Sequence, residues 1–396
     1  MTTADAVAAL PLIPSDEEQA IRASVRGICE SLGKRYAREK YEAGEPPTEA
    51  WQALAEKGFV GINIPREWGG GGMGMTGLAF VGEEVAAAGV PTLMLVVSSA
   101  IGGSILARHG TDVQNEKWLR GIAAGTTKFA FAITEPDAGT NTHNLRTEVR
   151  RDGDRYLLNG QKVFISAVED ADYVLVIARI RGEDGALGMP VLAVMDVDAP
   201  GFTREVIPMP YLGADKQWTL FFENVALEPD RLIGGETGGL GAVFDGLNPE
   251  RIIAAAISVG AGRRALEKAC AYAREREVWG VPIGAHQALA HPLAKAKIEL
   301  ELARLMMQKA AVLFDAGGVG GPITAEASNM AKYSAAEAAI HCVDQAIQTH
   351  GGNGVTLEYG ISDMWWGARL ARIAPVSAEM ILNYVAQHSL GLPRSY

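Results

Sequence analysis

A hydroxyl-rich turn follows a short apolar strand: Phe129-Ala130-Phe131-Ala132-Ile133 leads into Thr134-Glu135-Pro136-Asp137-Ala138-Gly139-Thr140. Hydroxyls, free backbone N–H groups and a glycine after a strand suit a large anionic, hydrogen-bonding ligand. Three further segments invite similar chemistry. Gly160-Gln161-Lys162-Val163-Phe164-Ile165-Ser166 sets an aromatic two residues from a hydroxyl, so on a regular strand both face one way. Arg276-Glu277-Val278-Trp279-Gly280 ends a helical run with a cation and an aromatic, and Gln287 begins the next run. Gln348-Thr349-His350-Gly351-Gly352-Asn353-Gly354 ends another helix in small residues that let a ligand approach the backbone. Each has a plainer alternative: strand packing, a cation on the helix dipole or a glycine C-cap. Taken singly, these residues leave the choice open.

Other chemistries find little support. Gly72-Met73-Gly74-Met75-Thr76-Gly77 matches a dinucleotide fingerprint, but the next apolar run, Leu93 to Val97, ends in Ser98-Ser99 with no acid, and no βαβ unit surrounds it. A glycine-rich connecting loop is the expectation there. His286 and His291 are five apart and no Cys-x-x-Cys occurs, so no metal site is expected. His341 and Cys342 are adjacent, so on a helix they do not face each other. No G-x-S-x-G nucleophile elbow is present.

The elements that must hold these segments change period twice. Residues 15 to about 127 read as helices: Ser15 caps a run with Glu18 three residues later, and Ile21, Val25, Ile28 and Leu32 recur at helical spacing. Thr48 opens another helix, and more follow around 76–88, 92–108 and 112–123. From 128 to about 232 short runs of β-branched and aromatic residues alternate with turns, and Arg150 to Asp154 forms a hairpin turn. Beyond Gly238 long helical runs return: Ile252–Arg276, Gln287–Ala316, Ile323–His350, and Ile361–Ser389 interrupted at Pro375. The predicted fold class is α+β: an N-terminal all-α domain (1–127), a central antiparallel β domain (128–232) and a C-terminal four-helix bundle (233–396). The alanine-rich helix faces allow close approach and subunit contact.

Composition is ordinary for a soluble globular protein: 396 residues, 48% hydrophobic and 21% charged. A net charge of −11 argues against nucleic acid and anionic lipid as partners. Three dispersed cysteines, Cys29, Cys270 and Cys342, fit a reducing compartment. No apolar run reaches the roughly 18 residues of a membrane span. The first residues carry acids and no basic region, so a secretory or transit leader is not expected. The location this predicts is cytoplasmic.

Taken together and in order, the segments resemble the acyl-CoA dehydrogenase family from about residue 15 to 385. The resemblance is carried by Ala132-Ile133-Thr134-Glu135-Pro136 with Ala138-Gly139-Thr140, by Tyr272-Ala273-Arg274-Glu275-Arg276 through Trp279-Gly280, and by Gly351-Gly352-Asn353-Gly354. It implies FAD, usually in a homotetramer, with an acyl-CoA substrate and an electron-transfer flavoprotein as acceptor. By position it implies that Phe131, Ile133 and Thr134 line the isoalloxazine, and that Phe164 and Ser166 lie beside its reactive edge. Arg276, Trp279 and Gln287 would reach the pyrophosphate and adenosine of a neighbouring subunit's cofactor. Gln348, Gly351 and Gly352 match the subunit-crossing loop, Ser377 the adenine end, and Thr140 the position near the pantetheine.

The reaction so implied needs a carboxylate to take the acyl α-proton while the β-hydrogen leaves as hydride to the flavin. Most relatives carry that carboxylate in a Tyr-Glu-Gly-Thr run, where this chain reads Ala374-Pro375-Val376-Ser377. A minority place it before an arginine in the helix after the β domain, which here is Leu247-Asn248-Pro249-Glu250-Arg251. The resemblance therefore implies Glu250 as base and Arg251 near the CoA moiety. The same residues also satisfy helix-start preferences, with Asn248 as cap and Pro249 in the first position. Pro375 brings a second departure: in relatives a backbone N–H at that position donates to the thioester oxygen, and proline has none. Val376 N–H, or a shifted loop, is the expected substitute. Trp365-Trp366-Gly367 replaces a usual Arg-Asp pair, and Trp218 is unusual near the end of the β domain. Alternatives on the same fold are an oxygen-using flavoenzyme, of acyl-CoA oxidase, nitroalkane oxidase or flavin hydroxylase type, and a non-catalytic acyl-CoA-binding member.

Overall fold

The computed structural model describes residues 14–211, 213–317 and 320–394. The leader-free reading of residues 1–13 lies outside them. Ser15 Oγ accepts from Glu18 N at 3.1 Å and opens α1 (Asp16–Ser31), as expected. An unanticipated α2 (Tyr36–Ala43) precedes α3 (Thr48–Glu56). The buried α4 (Gly74–Ala88) carries Glu83 and Glu84, both 0% exposed. Arg22 reaches Glu83 at 2.8 Å and Glu84 at 3.1 Å, while Arg263 and Arg304 approach Glu83 at 2.7 and 3.3 Å. That network bolts the N-terminal helices to later ones. The glycine-rich loop before α4 is no dinucleotide site: Asp315 accepts from Met75 N at 2.7 Å and Thr76 N at 2.9 Å, occupying the helix N-terminus that a phosphate would need. A π-helical stretch, Leu95–Gly102, then leads through α5 (Gly103–His109), α6 (Asp112–Gln114) and α7 (Arg120–Ala124).

The sheet contains β1 (Phe129–Ala132), β2 (Glu148–Asp152), β3 (Arg155–Ser166), β4 (Tyr173–Arg181), β5 (Leu187–Asp196), β6 (Phe202–Ile207), β7 (Gln217–Leu227) and β8 (Leu232–Ile233). Its order is β6-β7-β3-β2-β4-β5-β8. The expectation of a purely antiparallel sheet is corrected, because β1 and β2 both run parallel to β4, one along each half of it. The β2–β3 hairpin lies between β1 and β4 in the chain and supplies the crossover that parallel pairing requires. The hairpin turn falls at Gly153-Asp154, with Asp152 opposite Arg155. Central β4 is buried from Val174 to Ala178 on both faces, which accounts for its unbroken apolar run.

The C-terminal helices are α8 (Gly239–Glu275), α9 (Gln287–Asp315), α10 (Pro322–His350), α11 (Asp363–Leu370) and α12 (Ala378–Tyr384), with a small hairpin, β9 (Glu277–Val278) and β10 (Val281–Pro282), after α8. Alanines fill the contact faces: Ala265 and Ala269 on α8, Ala296 and Ala303 on α9, and Ala331, Ala335 and Ala339 on α10 are all 0% exposed. At Gly260 a Cβ would stand 2.1 Å from Glu83 O in the α4 backbone, so only glycine permits that crossing. The fourth member of the bundle is split into α11 and α12 around Pro375. No described helix is long and apolar enough to cross a membrane.

Candidate active site

One wall forms where β1 meets β3. Phe131 is buried, Ile133 and Thr134 are half-buried, and Thr140 is exposed. Thr134 O accepts from Val163 N at 2.9 Å, which sets the turn alongside the Phe164–Ser166 segment. Here β3 is not a regular strand: its register against β7 slips between Lys162 and Ile165, and Phe164 has φ 58°. Lys162 and Ile165, three apart, therefore both point inward, while Phe164 is 57% exposed. Ser166 shares hydrogen bonds with Gln217 at 3.0–3.1 Å. Beneath the wall, Lys162 (0% exposed) donates to Ile133 O at 2.8 Å and Glu135 Oε1 at 2.9 Å. Glu135 also accepts from Arg146 N at 2.7 Å and Thr147 N at 2.9 Å. Burial alone would raise the Glu135 carboxyl, but Lys162 and these donors hold it below its ordinary value.

A second cluster surrounds Glu250. Because α8 begins at Gly239, Asn248 is not its cap and Glu250 is not in its first turn, so the helix-start explanation fails. Pro249 instead sits inside the helix, where it costs roughly 3 kcal/mol relative to alanine. Glu250 is half-buried, and burial pushes its carboxyl up to about 7 against the opposing pull of Arg251 and Lys332. Arg251 donates to Asn248 Oδ1 at 3.1 Å, and its Nε is buried with no hydrogen-bond partner among the described residues. Lys332 of α10, 2% exposed, donates to Val376 O in the turn between α11 and α12. Val376 N–H has no partner among the described residues. Ser377, next in the chain, caps α12 by accepting from Met380 N at 3.3 Å.

A third cluster lies at the far end of the bundle. Arg276 caps α8, Trp279 forms the β9–β10 turn against His286, and Gln287 opens α9. Tyr272 stacks on His350 at 4.3 Å and accepts from Asn353 Nδ2 at 3.1 Å, which brings the Gln348–Gly352 segment to the same end. Arg276, Gln287, Gln348, Gly351 and Gly352 are all exposed. Along α8, Glu250 and Arg276 are separated by about 39 Å at 1.5 Å per residue.

The residues fit a large flavin cofactor. Phe164 and Trp279 are exposed aromatics with φ 58° and 54°, the latter 87% exposed. A left-handed aromatic costs on the order of 1–3 kcal/mol and points to function. Gly139 and Gly352 have ordinary φ, and a Cβ on either would meet nothing within 4 Å, so no contact among the described residues explains either glycine. Among the described residues no group of three or more His, Cys, Asp or Glu could hold a metal.

Sequence reasoning missed Lys162, Glu135 and Lys332 as site residues. A lysine inside a strand, and a lysine on the same helical stripe as Ser328 and Ala335, were the available signals. Of the two tryptophan departures, Trp218 is accounted for by packing: its Nε1 donates to Glu169 at 2.6 Å and Arg204 lies over its ring. Trp366 on α11 is 50% exposed.

Family profiles match almost end to end: acyl-CoA dehydrogenase N-terminal domain over residues 15–126, middle domain over 130–225 and C-terminal domain over 237–390. The chain is 51% identical over 384 residues to acyl-CoA dehydrogenase FadE12 of Mycobacterium tuberculosis, covering 97% of this chain and 98% of that one. Among solved structures, butyryl-CoA dehydrogenase from Megasphaera elsdenii superposes with a TM-score of 0.89 at 26% identity, covering 96% of this chain and all 100% of that one. A glutaryl-CoA dehydrogenase from Mycobacterium smegmatis in complex with FADH2 gives a TM-score of 0.88 at 26% identity, covering 96% of each chain.

Proposed function

The chain belongs to the acyl-CoA dehydrogenase family, and from that premise we infer that Glu250 is the base of its reaction. The protein is an FAD-dependent acyl-CoA dehydrogenase, forming the trans-2-enoyl thioester. The observation that carries the assignment of the base is a carboxyl inside a helix, half-buried and raised to about 7. A general base is most effective with its pKa near the working pH. Glu250 takes the α-proton onto its carboxylate, and Arg251, with an unpartnered buried Nε, offers charge to the CoA moiety. The chemistry that FAD supplies when bound is acceptance of the β-hydride. Val376 N–H donates to the thioester oxygen in place of the donor that Pro375 lacks, because negative charge gathers on that oxygen as the α-proton leaves.

Phe131, Ile133, Thr134, Phe164 and Ser166 hold the isoalloxazine, and Thr140 lies near the pantetheine. Arg276, Trp279, Gln287, Gln348, Gly351 and Gly352 gather at the far end of the bundle, about 39 Å along α8 from Glu250, and serve the FAD of a second copy. Ser377 reaches toward the adenine end. An apolar stripe on α9, Ile298, Leu302 and Leu305 at 62%, 63% and 44% exposure, supports assembly of the chain into a homotetramer or dimer. Electrons leave to an electron-transfer flavoprotein. The domain limits are 1–127, 128–232 and 233–396, and the compartment is the cytoplasm, in keeping with three unpaired cysteines.

The test is anaerobic titration of the FAD-loaded protein and of Glu250→Gln with a panel of acyl-CoA thioesters. Bleaching of the wild-type flavin, slow reoxidation in air and no bleaching in Glu250→Gln are expected. Bleaching that survives in Glu250→Gln overturns the base, and rapid reoxidation with peroxide formation favours an oxidase.

A further inference from the structure

Lys332 is a buried cation for which the reaction, as derived above, has no use. Its side chain crosses from α10 to the turn between α11 and α12 and donates to Val376 O. It is 2% exposed in a stripe of small and polar residues, with Ser328 and Asn329 one turn before it and Ala335 and Ala336 after it, each 4% exposed or less. A buried ammonium is costly unless paired. The charged groups facing it are Arg251 and Glu250 from α8, Glu337 from its own helix and Glu379 from α12, and Tyr384 faces the same Arg251. The carbonyl it holds belongs to the residue whose N–H is assigned to the thioester oxygen. One contact therefore anchors the residue that carries the donor, through the peptide that follows it, and sets a positive charge facing the base.

We propose that Lys332 is a positioning residue for the dehydrogenation: by holding the Val376 carbonyl it anchors the turn from which the Val376 N–H, one peptide earlier, is aimed into the site, and it sets a positive charge facing Glu250. This rests on Glu250 being the base. A nearby cation favours a carboxylate, so removing it moves the titration of Glu250 to higher pH. Loss of this anchor lets the turn around Val376 shift, which weakens the bond from Val376 N–H, made most strongly in the transition state, and so lowers kcat more than it raises KM.

The experiment compares FAD-loaded wild type, Lys332→Met and Lys332→Gln by stopped-flow flavin reduction with saturating acyl-CoA from pH 5.5 to 9. Glutamine keeps an N–H donor for the Val376 carbonyl and drops the charge; methionine drops both. Both variants should move the acid limb upward by about one pH unit, the low end of what a facing opposite charge does to a carboxylate. Lys332→Met should in addition lose about 10-fold or more in the limiting rate, with glutamine between it and wild type. An acid limb that stays at the wild-type pH in FAD-loaded Lys332→Gln overturns the proposal, as does equal limiting rate in all three proteins. If methionine does not load FAD, the glutamine variant alone decides by its limb. Reduction that persists in Glu250→Gln is a separate result: it removes the base assignment rather than the role of Lys332.

Discussion

Replacing Glu250 by glutamine should abolish the chemistry and make the protein more stable, and the size of the second effect follows from the site. Burial raises the carboxyl from 4.5 to about 7 in the folded chain. Between those values the folded state binds more protons than the unfolded one, so stability falls as pH rises across that window. At 1.36 kcal/mol per pH unit the full penalty above pH 7 is about 3 kcal/mol. Glutamine has nearly the same shape and no charge to desolvate, so at pH 8 it recovers on the order of 2–3 kcal/mol, and at pH 5 less than about 1 kcal/mol. Losing a general base removes about 10²- to 10⁴-fold in rate. Urea unfolding of FAD-loaded wild type and Glu250→Gln, at one protein concentration and at both pH values, reads the first quantity; stopped-flow bleaching reads the second. A stability gain equal at pH 5 and pH 8, or none at pH 8, refutes the raised carboxyl. A stable variant that still bleaches refutes the base.

Glu84→Ala leaves Arg26 and Arg263 without their buried partner and should cost about 3–5 kcal/mol in urea unfolding at pH 7, with the flavin reduction rate of the folded fraction unchanged. Because its partners outweigh burial and hold Glu84 below the ordinary carboxylate value, that contribution is present at neutral pH and is lost as pH falls through the folded titration. Trp279→Ala, at a side chain 87% exposed, should leave secondary structure intact and release FAD on gel filtration, whereas a purely local role predicts full FAD retention. Lys162→Met should lower the flavin midpoint potential and Glu135→Gln should raise it, each by on the order of 30 mV, about 1.4 kcal/mol for a two-electron couple. Shifts of the same sign in spectroelectrochemistry would reduce that pair to a brace. Pro375→Ala restores a backbone N–H and should change kcat by less than about 3-fold if Val376 already donates. A gain of about 100-fold would show that the donor was missing.

The layered order of helices, sheet and helices was legible because it is written in period: Ile21, Val25 and Ile28 step at helical spacing, while Val174 to Ala178 form a run that only a doubly covered strand would carry. What escaped depends on contacts between distant segments. The parallel pairing of β1 and β2 with β4 is one case, since no local feature of Phe129–Ala132 distinguishes a parallel neighbour from an antiparallel one. The bulge at Phe164 is another. A regular strand puts Phe164 and Lys162 on one face, yet the lysine points inward because its ammonium finds Ile133 O and Glu135, and Phe164 absorbs the mismatch at φ 58°.

The region around Glu250 shows how a local rule can mislead beside a functional site. Asn248-Pro249-Glu250 satisfies helix-start preferences, yet α8 begins at Gly239 and runs through the proline. A proline in a helix interior is a cost that packing elsewhere must offset. Its position immediately before a half-buried carboxyl gives that cost a reason: Pro249 has no N–H for the Asp245 carbonyl, so the helix is loosened at the turn that presents Glu250. Across the site, Pro375 removes a second N–H, from the turn whose Val376 carbonyl Lys332 holds. The two prolines thus mark two places beside the site where a backbone donor is missing, and Lys332 lies between them, holding Val376 O from one side and facing Glu250 on the other. Such an arrangement was not readable from either proline alone, because its meaning lies in the lysine that α10 brings between them.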